Sequence, residues 1–376
     1  MKRIYLSSPT MHGEEQQYVK EAFDTNWVAP LGPNVSALEK EMAEYLGNGV
    51  YTSALSAGTA AIHLSMKILG IGQGDIVFSP SLTFSATVNP AVYEGARPVF
   101  IDSERDTWNM DPEALEKAFE KYPDVKAVLM VHLYGTPAKI DEILKICDDH
   151  RVPVIEDSAE SLSSTYKGKQ TGTFGRTGIV SLNGNKIITS SGGGLMVSHN
   201  EEDTKKATFL ATQARDPARY YQHSHIGYNY RMSNVVAGVA RGQLIHIEEH
   251  KALKKEIYRT YREAFSDIEE ISMNPMNADA DANNWLSCIL LSEGCRITPE
   301  KIQNELEEKC NAESRPIWKP MQLQPVFSDC DFIKTGEKDV SADIFARGLC
   351  LPSDIKNTKE DMDLIIGTVR KLFGKA

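Results

Sequence analysis

Residues 126–157 read KAVLMVHLYGTPAKIDEILKICDDHRVPVIED, and the fold class follows from how this stretch divides. It opens on an apolar run, Ala127 to Val131, which ends before the turn signal at Gly135. It closes on a second run, Val152 to Ile155, which stops at Glu156 and Asp157. Both runs are short and apolar on successive rather than alternate residues, the pattern of strands buried on both faces. Residues 137–149 between them read as a helix. Strand, helix and strand in succession is the unit of a parallel sheet covered on both sides.

Working outward, the same signature recurs. DIVFSP (75–80), RPVFID (97–102), TGIVSL (177–182) and GGLMVS (193–198) are further brief apolar runs, with helical stretches at 83–95 and 111–121. Upstream, 34–47 reads as a helix capped by Asn34, with Val35, Leu38, Met42 and Leu46 on one face and Gly47 after it. Residues 56–70 give another, stacking Ile62, Met66 and Leu69. Beyond residue 200 the strand signal weakens to SCILLS (287–292). Helices are expected at 201–214, 298–310, 340–348 and 358–374, and 233–262 reads as one long helix bridging two domains. The expected class is α/β: a large domain over 1–245, including an N-terminal arm, with a mostly parallel mixed sheet flanked by helices, and a smaller C-terminal α+β domain over 246–376.

Composition narrows the function. The 376 residues carry a net charge of −11, which speaks against nucleic acid as the main partner, since phosphate backbones call for a concentrated basic face. No run approaches the roughly 18 apolar residues of a membrane span, and the opening MKRIYLSSP lacks the apolar core of a signal peptide. Six scattered cysteines, with no CxxC pair, fit reduced thiols better than a disulfide frame or a metal site. The expected setting is the cytoplasm.

Three motifs carry chemistry. Gly58-Thr59 opens a helix, where backbone N–H groups, a hydroxyl and the dipole suit a phosphate, although capping by Ser56 or Thr59 would account for the same letters. Asp157 ends an apolar strand, where a carboxylate can hold a protonated ring nitrogen, or simply sit solvated beside Glu156. Lys186 follows the Asn183-Gly184 turn, where a partly desolvated amine can form a Schiff base, or lie exposed like most loop lysines. The glycine run 192–194 lacks nucleotide-loop spacing. Together the three are the parts that hold pyridoxal 5′-phosphate: an acid for the ring nitrogen, a lysine for the aldehyde, donors for the phosphate.

With these parts in place the chain resembles the DegT/DnrJ/EryC1/StrS sugar-nucleotide aminotransferases, fold-type I pyridoxal phosphate enzymes. The resemblance runs from NWVAPLGPNVSALEKEMAEYLG through SAGTAAIHL, PSLTFSATVNPAVYEGARPVFID, VHLYGTPAKIDEI, VIEDSAESLSS, NGNKIITSSGGGLM and GYNYRMSNVVAGV to RPIWKPMQLQPVF. Within the family it is most similar to the transaminases of the UDP-N-acetylbacillosamine pathway. That resemblance implies transfer of an amino group from L-glutamate to C4 of a UDP-linked 4-keto-6-deoxy sugar, in a homodimer with shared active sites. It implies Lys186 as the Schiff-base lysine and Asp157 as the partner of the ring nitrogen. It further implies Gly58, Thr59 and Ser181 at the phosphate, Phe84 stacked on the ring, and Asn229 reaching the neighbouring subunit's phosphate. Trp27, Arg315 and Lys319 correspond to nucleotide-sugar contacts, and Arg231 to a donor-carboxylate or pyrophosphate contact. Two positions depart from the family pattern. Glu160, facing the cofactor's 3′-oxygen, replaces the usual Gln or His, and Gln322 replaces a His. Lysine rather than histidine at 186 disfavours the dehydratase branch. The alternatives are a 3-amino product, a dTDP- or GDP-linked sugar, or a cofactor-binding sensor without turnover.

Overall fold

The computed structural model describes residues 2–375. Eight strands form one mixed sheet in the order Tyr51–Leu55, Gly194–Ser198, Thr177–Ser181, Val154–Asp157, Ala127–Val131, Ile76–Pro80, Arg97–Ile101 and Phe332–Ile333. From Thr177–Ser181 to Phe332–Ile333 every neighbouring pair is parallel. The two strands at the other edge join antiparallel. The apolar runs bury both faces because successive side chains alternate sides. Leu129 and Ile155 enter one core with Ala61, Leu64 and Met66 of the Gly58–Ile68 helix. Val128, Met130 and Val154 enter the opposite core with Leu115, Ala118 and Ile143.

The C-terminal part builds a second, antiparallel sheet in the order Ile271–Met273, Cys288–Leu291, Gly348–Cys350 and Arg315–Pro316. Its core joins Ile257 and Tyr261 of one helix to Leu306 and Ile365 of two others. Two segments cross between the layers. Ile4 packs in this C-terminal core, and Phe332–Ile333 closes the edge of the large sheet.

Local sequence chemistry sets most helix ends. Asp111, Thr298 and Thr358 accept backbone N–H bonds at the starts of the helices Pro112–Lys121, Pro299–Cys310 and Lys359–Leu372. Asn34 does not cap its helix as expected. Pro33 opens the Pro33–Leu46 helix after Gly32, since its fixed φ and missing N–H suit the first helical position. Asn34 is instead buried, its N–H bonded to Asn234 Oδ1 at 2.8 Å. The single helix expected over 233–262 is two, Asn234–Leu244 and Ile247–Ala264; the first packs with Val35 and Leu38, and the second runs from that core at Ile247 into the C-terminal core at Ile257 and Tyr261. The polar helix Glu14–Asp24 was not anticipated. It is held by a close approach to Asn234–Leu244, where a Cβ on Gly242 would lie 2.5 Å from the Glu15 nitrogen. All six cysteines are free thiols, and no helix among the described residues is long and apolar enough to cross a membrane.

Candidate active site

The carboxyl ends of the parallel strands open on a cleft of about 420 Å³, where open α/β sheets place their ligands. Val131, Asp157 and Ile179, in register on three adjacent strands, form its floor. Asp157 is 6% exposed and therefore no solvated surface acid. Its Oδ2 accepts the Thr87 hydroxyl at 2.7 Å and its Oδ1 accepts the Ala159 N–H at 3.1 Å. Thr83, just ahead of the Ser85–Tyr93 helix that carries Thr87, supports it hydroxyl to hydroxyl at 2.9 Å.

Glu156, on the opposite face of the strand, is wholly buried. It accepts the His132 Nε2–H at 2.9 Å and the amides of Gly172, Phe174 and Gly175 at 2.6, 2.7 and 3.0 Å. His132 Nδ1 accepts the Ala138 N–H, which fixes the ring's tautomer. Burial alone would raise the Glu156 carboxyl, but the His132 bond and the amides outweigh it and hold it below its ordinary value.

Lys186 closes the turn that begins at Asn183, its N–H bonded to the Asn183 carbonyl at 3.0 Å. Its ammonium sits 4.3 Å from the Trp285 ring centroid and 3.6 Å from Glu160 Oε1. Only 11% of the lysine side chain is exposed. The turn is pinned from behind. The Asn185 carbonyl accepts both Trp285 Nε1–H at 2.7 Å and the Ser7 hydroxyl at 2.9 Å. The Ile187 carbonyl lies 2.7 Å from His250 Nδ1. Buried Lys254 donates to Ser7, Trp285 and Ser353.

The Gly58–Ile68 helix points its first turn into the cleft, and no side chain caps it, so the capping reading of Ser56 and Thr59 does not hold. Gly58 leaves the space open. A Cβ there would lie 3.3 Å from that of Ser181, and one on Gly194 would lie 2.5 Å from the Gly58 nitrogen. Phe84 stands at the mouth, 55% exposed, its centroid 5.2 Å from that of Trp318. The cleft thus unites Gly58, Thr59, Phe84, Asp157, Glu160, Ser181 and Lys186. These groups fit pyridoxal phosphate: an acid on the floor and an amine in the same cleft, with uncapped amides and the hydroxyls of Thr59 and Ser181 beside them.

The remaining sequence-selected residues lie elsewhere. Lys319 lines a neighbouring groove of about 480 Å³ that shares Thr83, Phe84 and Trp318 with the cleft. Arg231 is held in a two-point pair with Glu39 and also donates to the Ala54 carbonyl, which turns its guanidinium away from the cleft. Arg315 pairs with Glu313 at 2.8 Å. Trp27 and Asn229 are exposed outside the cleft. Gln322 is tied to Ser81 and Asp339. Sequence reasoning missed Thr87, Trp285 and Trp318 as cleft residues. The Thr83/Thr87 spacing of one helical turn was a usable signal for the first, and nothing local marked Trp285.

Comparison with known proteins agrees with this geometry. The DegT/DnrJ/EryC1/StrS aminotransferase family matches residues 9–370. The chain is 48% identical to the pyridoxal phosphate-dependent aminotransferase EpsN of Bacillus subtilis, over 99% of this chain and 96% of that one. It is 33% identical to the GDP-perosamine synthase of Caulobacter vibrioides over 99% of each. Among solved structures, a DegT DnrJ EryC1 StrS aminotransferase from Brucella abortus superposes with a TM-score of 0.88 at 28% identity, covering 96% of each chain.

Proposed function

The chain belongs to the DegT/DnrJ/EryC1/StrS aminotransferase family and is a pyridoxal phosphate-dependent sugar transaminase, and from that premise we propose its substrates and the work of each residue. The amino group passes from L-glutamate to C4 of a UDP-2-acetamido-2,6-dideoxy-4-keto-hexose. The products are 2-oxoglutarate and a UDP-4-amino-4,6-dideoxy-N-acetylhexosamine. The observation that carries the reading is the cleft in which Lys186 and Asp157 share one buried cavity beside an uncapped helix start. The adjoining groove past Phe84 and Trp318 offers room for the nucleotide, with Lys319 at its edge.

The bound cofactor supplies an aldehyde that carries the amino group and a pyridine ring that withdraws electrons from the reacting carbon. Lys186 holds that aldehyde. Asp157, oriented by Thr87 and Ala159, keeps the ring nitrogen protonated. The Gly58 and Thr59 amides, with the hydroxyls of Thr59 and Ser181, hold the phosphate. Phe84 covers the ring from the mouth. Lys186 Nζ would take the proton from the donor α-carbon as general base and deliver it, as general acid, to the former aldehyde carbon. The half-reactions alternate, donor first and keto sugar second.

A homodimer completes the site in this reading. Exposed Phe23, Trp27, Val28 and Leu31 on the N-terminal segment, with Tyr220, Tyr221 and Ile226, supply apolar surface for a second copy. Exposed Asn229 is then available to the neighbouring phosphate. Free thiols throughout favour a cytoplasmic setting.

The GDP-perosamine synthase relatives favour a GDP-linked sugar as the second reading. Absorbance spectra before and after glutamate, followed by each keto-sugar nucleotide in turn, separate the two. Return of the original band with the UDP sugar alone supports the first reading, and return with a GDP sugar alone overturns it.

A further inference from the structure

Glu160 is the cleft's second carboxyl, and its two oxygens have different neighbours. Oε2 accepts the Tyr134 N–H at 2.7 Å, which anchors the side chain. Oε1 faces Lys186 Nζ at 3.6 Å, within ion-pair range. Both side chains are largely withdrawn from water, 5% and 11% exposed, so neither charge is well hydrated without the other. The Trp285 ring face lies against the same Lys186 Nζ. Asp157, already satisfied at both oxygens, adds negative charge from the strand three residues earlier. Tyr134 and Cys288 complete the titratable surroundings of Glu160.

We propose that Glu160 is a positioning residue for the Lys186 proton: it stores, on Oε1, the proton that the lysine must shed to act as a base. The exchange balances. One N–H bond of the Lys186 ammonium breaks as one O–H bond forms on Glu160, and ammonium plus carboxylate become amine plus carboxylic acid. A buried ion pair is thereby replaced by two neutral groups, and no charge leaves the cavity. The amide of a glutamine at this position has no comparable site for that proton, whatever bonds it makes to the cofactor. Burial, opposed by Lys186 and the Tyr134 amide, pushes Glu160 up to about 7, which makes it a better proton acceptor than an ordinary carboxylate.

The inference rests on Lys186 being the lysine that holds the cofactor, and the test separates the two claims. The visible spectrum of the holoenzyme is titrated between about pH 5.5 and 9.5 for the wild type and Glu160→Gln, with circular dichroism to confirm folding. An ionised Glu160 favours a proton on the linkage between Lys186 and the cofactor, so the wild type retains that proton to higher pH. The Gln variant is expected to lose it at least about one pH unit lower, a tenfold change in the equilibrium. An unmoved midpoint in a folded variant overturns the Glu160 proposal and leaves Lys186 intact. Failure of the wild type to form the band removes the premise instead. If the variant does not fold, infrared spectra of the wild type decide the matter. A protonated carboxyl stretch near about pH 6 that is lost near about pH 9 supports the proposal, and its absence at both refutes it.

Discussion

Glu156→Gln is the most informative single substitution outside the cleft, because it changes almost no volume and tests a buried network behind Asp157. Each Glu156 oxygen accepts two bonds: Oε1 from His132 and Gly172, Oε2 from Phe174 and Gly175. A glutamine turns one oxygen into a donor that faces two donors. Whichever way the amide lies, two buried N–H groups lose their partner. At roughly 2 kcal/mol for each, the cost is about 4 kcal/mol. Urea unfolding of the cofactor-free protein reads this directly, since ligand binding would otherwise add to the apparent stability. With a slope of roughly 3 kcal/mol/M, the midpoint falls by about 1.3 M, and two coincident probes check for a single transition. The pH dependence follows from the sign of the shift. The folded carboxyl titrates below its ordinary value, so its contribution is present above the unfolded value of about 4.3 and is lost as pH falls through the lower folded one. The gap between wild type and variant should close toward acid. A midpoint within about 0.3 M of wild type at neutral pH would refute the reasoning that these four bonds are net stabilising.

Lys186→Ala should abolish turnover and the cofactor band together, and retained transamination would remove its assignment. Asp157→Asn should slow proton abstraction by on the order of 100-fold or more, with folding unchanged, and Thr87→Val, which loses one 2.7 Å bond to Asp157, should fall between it and wild type in single-turnover rate. Arg231→Met should lower thermal stability, because Glu39 loses its guanidinium partner and keeps only the Ala54 N–H, while the KM for glutamate stays within about twofold. A large KM rise with unchanged stability would instead place Arg231 at the donor carboxylate.

The sheet was readable from its sequence because its strands are buried on both faces, and a short continuous apolar run such as Ala127–Val131, bounded by turn signals, fits a covered parallel strand better than a half-exposed one. Tyr51–Leu55, an edge strand that mixes Thr and Ser with apolar residues, lacks that signature. The Glu14–Asp24 helix was hidden for a related reason: its residues are mostly polar, and close backbone approach to Gly238 and Gly242 holds it in place. At the site, the chemistry-bearing residues lie at strand ends and turns, where local signals are strong. Trp285 and Tyr134 were not readable, because their roles come from distant chain segments meeting.

The pinned turn beneath Lys186 has a consequence for how this molecule is assembled. Its two flanking carbonyls are held by Ser7, Trp285 and His250, residues separated by up to 278 positions in the chain. A ribosome must release most of the polypeptide before these anchors exist together. Cofactor capture is therefore a late event in biogenesis, and a nascent or proteolytically shortened chain would expose a loose, indiscriminate amine. Trimming the first eight residues should leave the sheet standing yet blunt cofactor retention.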